Sequence, residues 1–435
     1  MAAGDPSYAS VIERLERSLT FGINPSLDGI GMLMERLGRP ENECRCVQVT
    51  GTNGKTSVTR MTGALLSAHG YRTGVYTSPH LVSYTERIVI DGEPLSEAAF
   101  AAVMNDVYEV ADSIDRAFTE FELLTAAALH AFRQNRVEFA VLEVGMGGRW
   151  DATSVVDPTV AVITGVALDH TDRLGSTREA IAGDKAHIIT ERSIPIIGPG
   201  CEGVDHIFEA RAVALGHPRV MRVGLCDGDD VSWRVVRCPH TPGGALSLDI
   251  EGTRDYRVSL HAPAYQAANV AIAMAAAGAA LFNVLDPAAV DSALRRMTFP
   301  GRFELIRRTP PLVLDGAHNP DAAAVLSSAI RDSFRQALPV IVLGVLTDKD
   351  AEGIVRSLAG VAGEFVATEN GSPRCMPAER LASLVADVTG RAARAVPDLR
   401  EALAVARERG GAAGVVVTGS LYTVGAVKAL GGDIP

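Results

Sequence analysis

A short glycine-rich stretch in the first seventh of the chain contains the groups needed to bind phosphate. Residues 51–57, GTNGKTS, follow an apolar run and precede a helical pattern. The stretch offers backbone amides and a helix N-terminus to an anion, with the Lys55 ammonium and the hydroxyls of Thr56 and Ser57 beside them. It departs from the common GxxxxGK[ST] pattern, because Val49 stands where the first glycine would be. We predict a phosphate loop; the alternative is a glycine-rich turn that binds nothing.

Two later segments place a carboxylate and an imidazole directly after apolar runs. AVLEVGMGGRWDAT puts Glu143 near the end of one run, where an acid can reach Mg²⁺ beside a nucleotide. VALDHTDRLG puts Asp169 and His170 after the next run. Taken singly, a strand-end acid or a lone histidine can be purely structural. Their occurrence at consecutive strand ends favours a shared site at the carboxyl edge of a parallel sheet.

A third polar cluster lies in the last third of the chain. LVLDGAHNPDA ends an apolar run in Asp315, His318 and Asn319. This group is too dense in polar side chains for a simple turn, so we treat it as a candidate binding segment.

These side chains need a scaffold, and the apolar runs supply one. Near-continuous apolar runs are typical of strands buried on both faces, and helical patterns fill the gaps between them. One such pattern places Val58, Met61, Leu65 and Ala68 on one face and stops at Gly70. The alternation predicts a mostly parallel sheet with helices on both sides. The runs in the first half are RCVQV (45–49), TGVYT (73–77), FAVLEV (139–144), TVAVIT (159–164) and IPIIG (194–198).

The alternation of strand and helix patterns is interrupted once and then resumes. Residues 201–260 contain polar segments, HTPGG and alternating runs such as ALSLDI, which predict an antiparallel patch. After FPGRFE (299–304) a second α/β series begins with PLVLDG, PVIVLGVL, GEFVATE and GVVVTG. We therefore predict an α/β protein in which residues 1–298 form a phosphate-loop-type domain with a mostly parallel sheet. Residues 299–435 are predicted to form a smaller Rossmann-like α/β domain.

Composition excludes several classes of protein. The 435 residues are 47% hydrophobic and carry a formal net charge of −11, so the chain can bury a large core. It lacks the basic excess that a nucleic-acid-coating protein needs. Six scattered cysteines without a CxxC pair argue against a disulfide framework or zinc ribbon and favour reduced thiols in the cytoplasm; they are Cys44, Cys46, Cys201, Cys226, Cys238 and Cys375.

Neither a secretory signal nor a membrane span is expected. MAAGDPSYASVIERLERSL has no basic segment followed by an apolar one. From His261 to Leu285 the chain carries no charged side chain, but alanine dominates there, and Gln266, Asn269 and Asn283 interrupt the apolar character. We predict a buried core helix in this region.

Eight segments of the chain, taken in their order along the sequence, resemble the folylpolyglutamate synthase and dihydrofolate synthase family of the Mur ligase superfamily. The resemblance extends from LDGIGMLMERLG (27–38) to VTGSLYTVGAV (417–427). Members of that family use ATP to phosphorylate a carboxylate, and an amine, usually that of glutamate, then attacks the acyl phosphate. The segments are TGTNGKTS, YTSPHLVSYTERIVIDG, FELLTAAAL, VLEVGMGGRWDAT, LDHTDRLGSTREAIAGDKAHII, FPGRFE, LDGAHNP and TGSLY.

The resemblance implies a role for each polar cluster. Lys55, Lys185 and His170 would be catalytic, and Lys185 in AGDKAHII matches a lysine that the family carboxylates to a carbamate. The Mg²⁺ ligands would be Thr56, Ser57, Ser78, Glu143, His170 and Lys185. ATP would be held by Gly51, Thr52, Asn53, Gly54, Lys55, Thr56 and Ser57. Asn269, Arg302, Asp315 and His318, which we group together on the side of the second domain, would complete the ATP contacts.

The segments around the acceptor acid depart from the family pattern. Phe121 and Asp151 match it, but Trp150 and Ser154 replace leucine and asparagine in GGRLDATN, and His187 replaces glycine in KAGI. An added indole and imidazole change the shape and hydrogen bonding of this region. The identity of the acceptor acid is therefore the open point.

Three hypotheses follow. The first is a cytoplasmic, monomeric ligase that joins dihydropteroate or a reduced folate to glutamate with ATP and Mg²⁺, with no nucleic-acid or membrane partner. The second is a paralogue that joins another aromatic or heterocyclic acid to an amine by the same chemistry. The third is a catalytically silent nucleotide-binding protein, which the competent side chain at every phosphate and metal position disfavours.

Overall fold

A computed structural model describes residues 7–18, 25–225, 228–335 and 337–434, and Cys226 lies outside these ranges. The chain divides into two compact units. The first contains residues 1–234, 250–258 and 268–294, and the second contains residues 235–249, 259–267 and 295–435.

The helices within the described residues are α1 (Tyr8–Glu16), α2 (Asp28–Arg36), α3 (Lys55–Ala68), α4 (Glu97–Asp112), α5 (Glu120–Gln134), α6 (Thr171–Leu174), α7 (Arg178–Lys185), α8 (Asp205–Ala214), α9 (Gln266–Leu281), α10 (Pro287–Arg296), α11 (Pro320–Ser333), α12 (Ala351–Leu358), α13 (Ala378–Thr389), α14 (Leu399–Gly410) and α15 (Leu421–Ala429).

The strands are β1 (Arg45–Thr50), β2 (Thr73–Tyr76), β3 (Ile88–Ile90), β4 (Glu93–Pro94), β5 (Phe139–Glu143), β6 (Val160–Gly165), β7 (Ile194–Gly200), β8 (Met221–Gly224), β9 (Val231–Arg237), β10 (Ala245–Glu251), β11 (Tyr256–His261), β12 (Glu304–Arg308), β13 (Pro311–Leu314), β14 (Val340–Leu343), β15 (Glu364–Ala367), β16 (Arg394–Ala395) and β17 (Val415–Thr418).

The sheet of the first unit has β1 at its centre. The strand order is β8-β7-β6-β1-β5-β2-β3-β4, and the sheet continues from β8 through β9, β10 and β11, whose residues fall partly in each unit. The five strands predicted from the apolar runs are all present, and β7, β6, β1, β5 and β2 pair in parallel. Val49 of β1 lies opposite Glu143 of β5 on one side and Val162 of β6 on the other. The carboxyl ends of these strands therefore meet at one edge.

The helix that follows the phosphate loop packs as its apolar periodicity predicts. Val58, Met61 and Leu65 of α3 are fully buried, and the helix ends at Ala68, shortly before Gly70. Burying each such side chain contributes about 1.5–3 kcal/mol. The uncharged stretch before Leu285 forms α9, and most of its alanines are buried, which confirms a core helix. None of the helices in the described ranges has both the length and the apolar character to cross a bilayer.

The region predicted as an antiparallel patch is more mixed than expected. Leu246, Leu248 and Ile250 of β10 are buried in alternation, as ALSLDI predicts. However, β8 pairs in parallel with both β7 and β9. The prediction was wrong for these pairings, because β8 still belongs to the parallel series of the central sheet.

The second unit contains a six-stranded sheet in the order β12-β13-β17-β14-β15-β16. The four predicted runs form β13, β14, β15 and β17, and these strands pair in parallel, whereas β12 is antiparallel to β13. Helices α11, α12 and α13 contribute buried apolar side chains to the core of this unit. The prediction of a second α/β series is confirmed.

Candidate active site

The phosphate loop connects β1 to α3 and is closed by a glycine. Gly54 caps α3 with a left-handed backbone (φ 85°), a conformation that glycine adopts at little cost. The Lys55 ammonium donates hydrogen bonds to the carbonyls of Gly51 (3.0 Å) and Thr52 (3.1 Å). The lysine is thus held against the loop whose amides would face an anion.

Strand β6 anchors the same loop from the other side. Thr164 Oγ1 donates to the Asn53 carbonyl at 2.6 Å, and Thr52 Oγ1 donates to the Ala167 carbonyl at 3.1 Å. Because both anchors are at the carboxyl edge of the sheet, the loop has a fixed position relative to the residues that follow β6.

A buried carboxylate joins the loop to two other candidate residues. Glu143 is 1% exposed. Its Oε1 accepts a hydrogen bond from Thr56 Oγ1 at 2.8 Å, and its Oε2 accepts one from the Ser78 backbone amide at 3.1 Å. A carboxylate beside the Thr56 hydroxyl is a donor set that suits Mg²⁺. Three of the predicted metal ligands therefore come together.

Lys185 lies beneath the phosphate loop. It is 3% exposed, and its Nζ donates to the Gly51 carbonyl at 2.9 Å, the same oxygen that accepts from Lys55. Burial, and then the neighbouring Lys55 charge, lower the pKa of Lys185 to about 7. A lysine is almost never this deeply buried without a partner for its charge, so its position is unusual.

His170 follows β6 and caps α6 with a left-handed backbone (φ 50°). Its side chain is exposed, and its backbone amide donates to Asp169 Oδ1 at 2.9 Å. Ser57, by contrast, is buried within α3. Among the described residues, no group of three or more His, Cys, Asp and Glu side chains is arranged so that it could hold a metal ion. A metal ion here would combine the Glu143 carboxylate with hydroxyl, phosphate and water oxygens, as Mg²⁺ commonly does.

Residues 145–154, which we name the acceptor loop, follow β5. Asp151 is buried, and it accepts hydrogen bonds from the Met146 amide (3.0 Å) and from Thr153 Oγ1 (2.6 Å). Burial raises the pKa of its carboxyl group. A side chain at Gly145 would collide with the Phe121 ring, so this glycine lets Phe121 approach the loop.

The family departures lie on or beside this loop. The Trp150 indole is 45% exposed, with the Arg149 guanidinium 4.7 Å from its ring centroid. Ser154 Oγ donates to the Gly148 carbonyl at 2.6 Å. His187 Nδ1 lies 2.9 Å from the Gly183 carbonyl, so its ring contacts the end of α7. Trp150 is the departure that presents a large surface to solvent.

The sequence reasoning missed two features that hold the acceptor loop. Gln48 and Thr50 are polar residues on one face of β1, and both contact this loop. Asp184 Oδ1 accepts from the backbone amide of Gly148 at 2.8 Å. The alternation of polar side chains in VQVT was the available signal for the first feature; nothing in the sequence pattern indicated the second.

The polar cluster of the second unit is organised around Asp315. This carboxylate is buried and accepts hydrogen bonds from the amides of Phe303 (2.8 Å) and Ala317 (2.9 Å) and from the Tyr265 hydroxyl (3.0 Å). Burial raises the pKa of Asp315. Phe303 has a left-handed backbone (φ 52°), which is uncommon for a bulky residue. Asp315 thus holds the strained residue that directly follows Arg302.

The remaining ATP candidates lie in different places. His318 Nδ1 is 2.9 Å from the Gly316 carbonyl, in the same segment as Asp315. Asn269 belongs to the part of α9 in the first unit, and a side chain at Gly54 would lie 2.6 Å from its Oδ1. Our grouping of Asn269 with the second domain was therefore wrong: this residue lies against the phosphate loop, because α9 packs in the core of the first unit.

Family models match both parts of the chain. The Mur ligase middle domain matches residues 49–279, and the Mur ligase glutamate ligase domain matches residues 301–421. The first match includes the phosphate loop, Glu143 and Lys185, and the second includes the Asp315 segment.

Individual proteins are similar over almost the whole chain. The dihydrofolate synthase/folylpolyglutamate synthase of Mycobacterium tuberculosis is 37% identical, with 95% of this chain and 91% of that protein covered. Escherichia coli FolC in complex with DHPP and ADP is 30% identical with a TM-score of 0.86, covering 98% of this chain and 97% of that one. The bifunctional enzyme of Yersinia pestis complexed with AMPPNP and Mn ion is 31% identical with a TM-score of 0.85, and 99% of each chain is covered.

Proposed function

Because the chain belongs to the folylpolyglutamate synthase and dihydrofolate synthase family of Mur ligases, we propose that it joins dihydropteroate or a reduced folate to glutamate. The enzyme class is that of ATP-dependent ligases that form C–N bonds. The observation that carries the proposal is the convergence of Lys55, Thr56, Glu143 and Lys185 at one phosphate loop.

The chemistry requires a carboxylate to become a reactive acyl group. Carboxylate oxygen is a poor leaving group, so the acid attacks the γ-phosphorus of ATP, ADP leaves, and an acyl phosphate forms. The amine of glutamate then attacks the acyl carbon, phosphate leaves with the bonding electron pair, and the amine loses a proton. Two anions must approach each other in the first step, and the Lys55 ammonium with the loop amides supplies positive charge for them.

A divalent cation fits the donor set beside the loop. We propose that the ion is held by oxygens of Glu143 and Thr56; the hydrogen bond between these two side chains supports the proposal. When bound, Mg²⁺ would neutralise phosphate charge during phosphoryl transfer. The full set that we propose is Thr56, Ser57, Ser78, Glu143, His170 and Lys185.

Lys185 is proposed to act as a carbamate. Its Nζ is buried and points to the Gly51 carbonyl, a place where a bare ammonium would sit beside Lys55. Addition of CO₂ to the neutral amine, with loss of one proton, would convert a cation into an anionic oxygen ligand. Repulsion from Lys55 would then become attraction.

Nucleotide contacts from outside the loop are proposed for Asn269, Arg302, Asp315 and His318. The guanidinium of Arg302 has the planar fork that suits phosphate oxygens. Asp315 already accepts three hydrogen bonds within its own segment. Any contact of Asp315 with the nucleotide would therefore come in addition to its hydrogen bond to the backbone next to Arg302.

The acceptor acid is proposed to lie along Phe121, Asp151 and Trp150, with Ser154 and His187 shaping the surroundings. An exposed indole can stack on a flat heterocycle, worth about 0.5–1.5 kcal/mol beyond burial. The same indole supports a second candidate, a ligase for another aromatic or heterocyclic acid, because it occupies a position where the family pattern has leucine.

ADP release with a panel of acids tests these proposals. Dihydropteroate, a reduced folate and unrelated aromatic acids would each be offered with ATP, Mg²⁺ and glutamate, and each assay would be repeated without glutamate. We expect glutamate-dependent ADP release with dihydropteroate or the folate. If only an acid other than dihydropteroate or the folate is turned over, the second candidate is supported. If no acid is turned over, both candidates are contradicted.

We further propose that residues 1–298 and 299–435 act as the two functional domains of a cytoplasmic monomer. The described cysteines are all free thiols, as expected in a reducing compartment. Sedimentation equilibrium at several concentrations tests the monomer, and a dimer mass would contradict it.

A further inference from the structure

Strand β1 carries two buried polar side chains that the proposed chemistry does not use. Gln48 and Thr50 are both fully buried, and alternate residues of a strand share one face. Thr50 Oγ1 donates to the Gly147 carbonyl at 2.6 Å, and Gln48 Nε2 donates to Thr153 Oγ1 (3.1 Å) and Ser154 Oγ (3.0 Å). One strand therefore contacts the acceptor loop at two points and continues directly into the phosphate loop.

The direction of each hydrogen bond around Gln48 is determined. Ser154 Oγ donates its proton to the Gly148 carbonyl at 2.6 Å, and Thr153 Oγ1 donates its proton to Asp151 Oδ1 at 2.6 Å. Each hydroxyl has one proton, so both must accept from Gln48, whose amide nitrogen has two. A carboxylate or an inverted amide at this position would offer the hydroxyls no donor.

The other end of the same amide is unusual. Gln48 Oε1 is buried and has no hydrogen-bond partner among the described residues. Burying an acceptor without a partner is unfavourable, whereas an apolar side chain of similar size avoids this penalty. Stability alone therefore does not favour glutamine here, and the two donated hydrogen bonds are the feature that a hydrocarbon cannot replace.

We propose that Gln48 is a positioning residue that fixes the acceptor loop and thereby the placement of Trp150 against the acceptor acid. Gln48 acts through Thr153 and Ser154, which follow Trp150 by three and four residues. The selectivity part of the inference rests on the proposed function, since it requires this loop to hold the acid. The positioning part is a property of the protein without substrate.

The test is Gln48→Met in a Trp233→Phe background. The chain has two tryptophans, so this background leaves Trp150 as the single indole and makes its fluorescence a direct report on the loop. Methionine keeps the unbranched shape and removes both donors. We expect stronger acrylamide quenching of Trp150, a KM for the acceptor acid raised by up to about tenfold through misplacement of this stacking ring, and a KM for ATP near that of the parent.

Two further variants separate positioning from packing. Thr62→Val removes a buried hydroxyl of α3 that has no partner among the described residues, and it should change neither the quenching nor the KM for the acid. Ser154→Ala removes one acceptor of the Gln48 amide from the loop side. Ser154→Ala should raise both the acrylamide quenching of Trp150 and the KM for the acid, as Gln48→Met does. In the double variant, the change in each quantity should be smaller than the sum of the two single-variant changes.

The outcomes distinguish this inference from the proposed function. If no acid is turned over, the proposed function fails, but the quenching measurement still decides whether Gln48 holds the loop. A folded Gln48→Met protein with parental quenching and parental KM for the acid overturns the inference. If that variant does not fold, Ser154→Ala with parental values for both readouts overturns it instead.

Discussion

The phosphate loop and the acceptor loop follow neighbouring strands of one sheet, yet they are held in different ways. The phosphate loop is fixed from β6 by Thr164, whose hydroxyl bonds the Asn53 carbonyl. The acceptor loop depends on side chains at several distant positions, among them Gln48, Thr50 and Asp184. The first loop is thus held by a hydroxyl of β6, and the second by side chains from two other segments of the chain, β1 and α7.

This difference separates the chemistry from the choice of acceptor. The phosphate loop retains Lys55 and Thr56, the side chains that we propose act on ATP. The acceptor loop carries Trp150 and Ser154, which depart from the family pattern, and Ser154 is part of its hydrogen-bond support. Under the proposed function, substitutions in the acceptor loop can therefore change the acceptor acid without altering the residues that we propose for phosphoryl transfer.

The largest effect is expected from removal of the phosphate-loop charge. Lys55→Met should lower kcat by about 10³-fold or more, because electrostatic stabilisation is usually the largest single contribution to such reactions. The melting temperature should stay near that of the parent, since the lysine contacts loop carbonyls and adds little packing. Ser67→Ala, near the far end of the same helix, is the control. Near-normal turnover in Lys55→Met would remove the phosphate-loop assignment.

A comparable loss is expected at Lys185, with a different signature. Lys185→Ala should be nearly inactive, and acetate or formate in the buffer should restore part of the activity by supplying an oxygen ligand in the space left. The Lys55→Met protein should gain nothing from the same acids. Full activity of Lys185→Ala, or no response to any short carboxylic acid at any concentration tested, would contradict the carbamate.

An intermediate effect is expected from the carboxylate that joins the phosphate loop to Ser78. Glu143→Gln keeps the shape but removes the negative charge that favours a divalent cation. We expect the Mg²⁺ concentration needed for half-maximal activity to rise about tenfold or more, with a smaller change in the KM for glutamate. An unchanged Mg²⁺ dependence would show that Glu143 is a structural strand-end residue.

The smallest effect is expected from restoring the family residue in the acceptor loop. Trp150→Leu should change kcat/KM for dihydropteroate by about tenfold or less, as expected for stacking of one aromatic ring, and leave the KM for ATP unaffected. A loss confined to the acid supports the separation of the two loops. A matching rise in the KM for ATP would contradict it.

Much of this arrangement follows from local sequence patterns. RCVQV and FAVLEV predicted β1 and β5 because uninterrupted apolar runs have few structural alternatives, and GTNGKTS itself carries the lysine and the hydroxyls of the phosphate loop. The contacts of Gln48 were not predictable, because a single polar residue in an apolar strand does not specify which distant hydroxyls it will meet. The left-handed Phe303 was equally hidden, since the carboxylate that accepts from its backbone amide belongs to Asp315, a residue of a different segment.

The central claim is that the acceptor carboxylate is activated by direct phosphorylation, and transfer of oxygen isotope tests it. Dihydropteroate labelled with ¹⁸O in its carboxylate would be converted with ATP, Mg²⁺ and glutamate, and the released phosphate would be analysed by mass spectrometry. Because the acyl oxygen leaves with phosphate, we predict one ¹⁸O atom in each phosphate formed and one retained in the amide. Unlabelled phosphate accompanying amide formation would contradict the account.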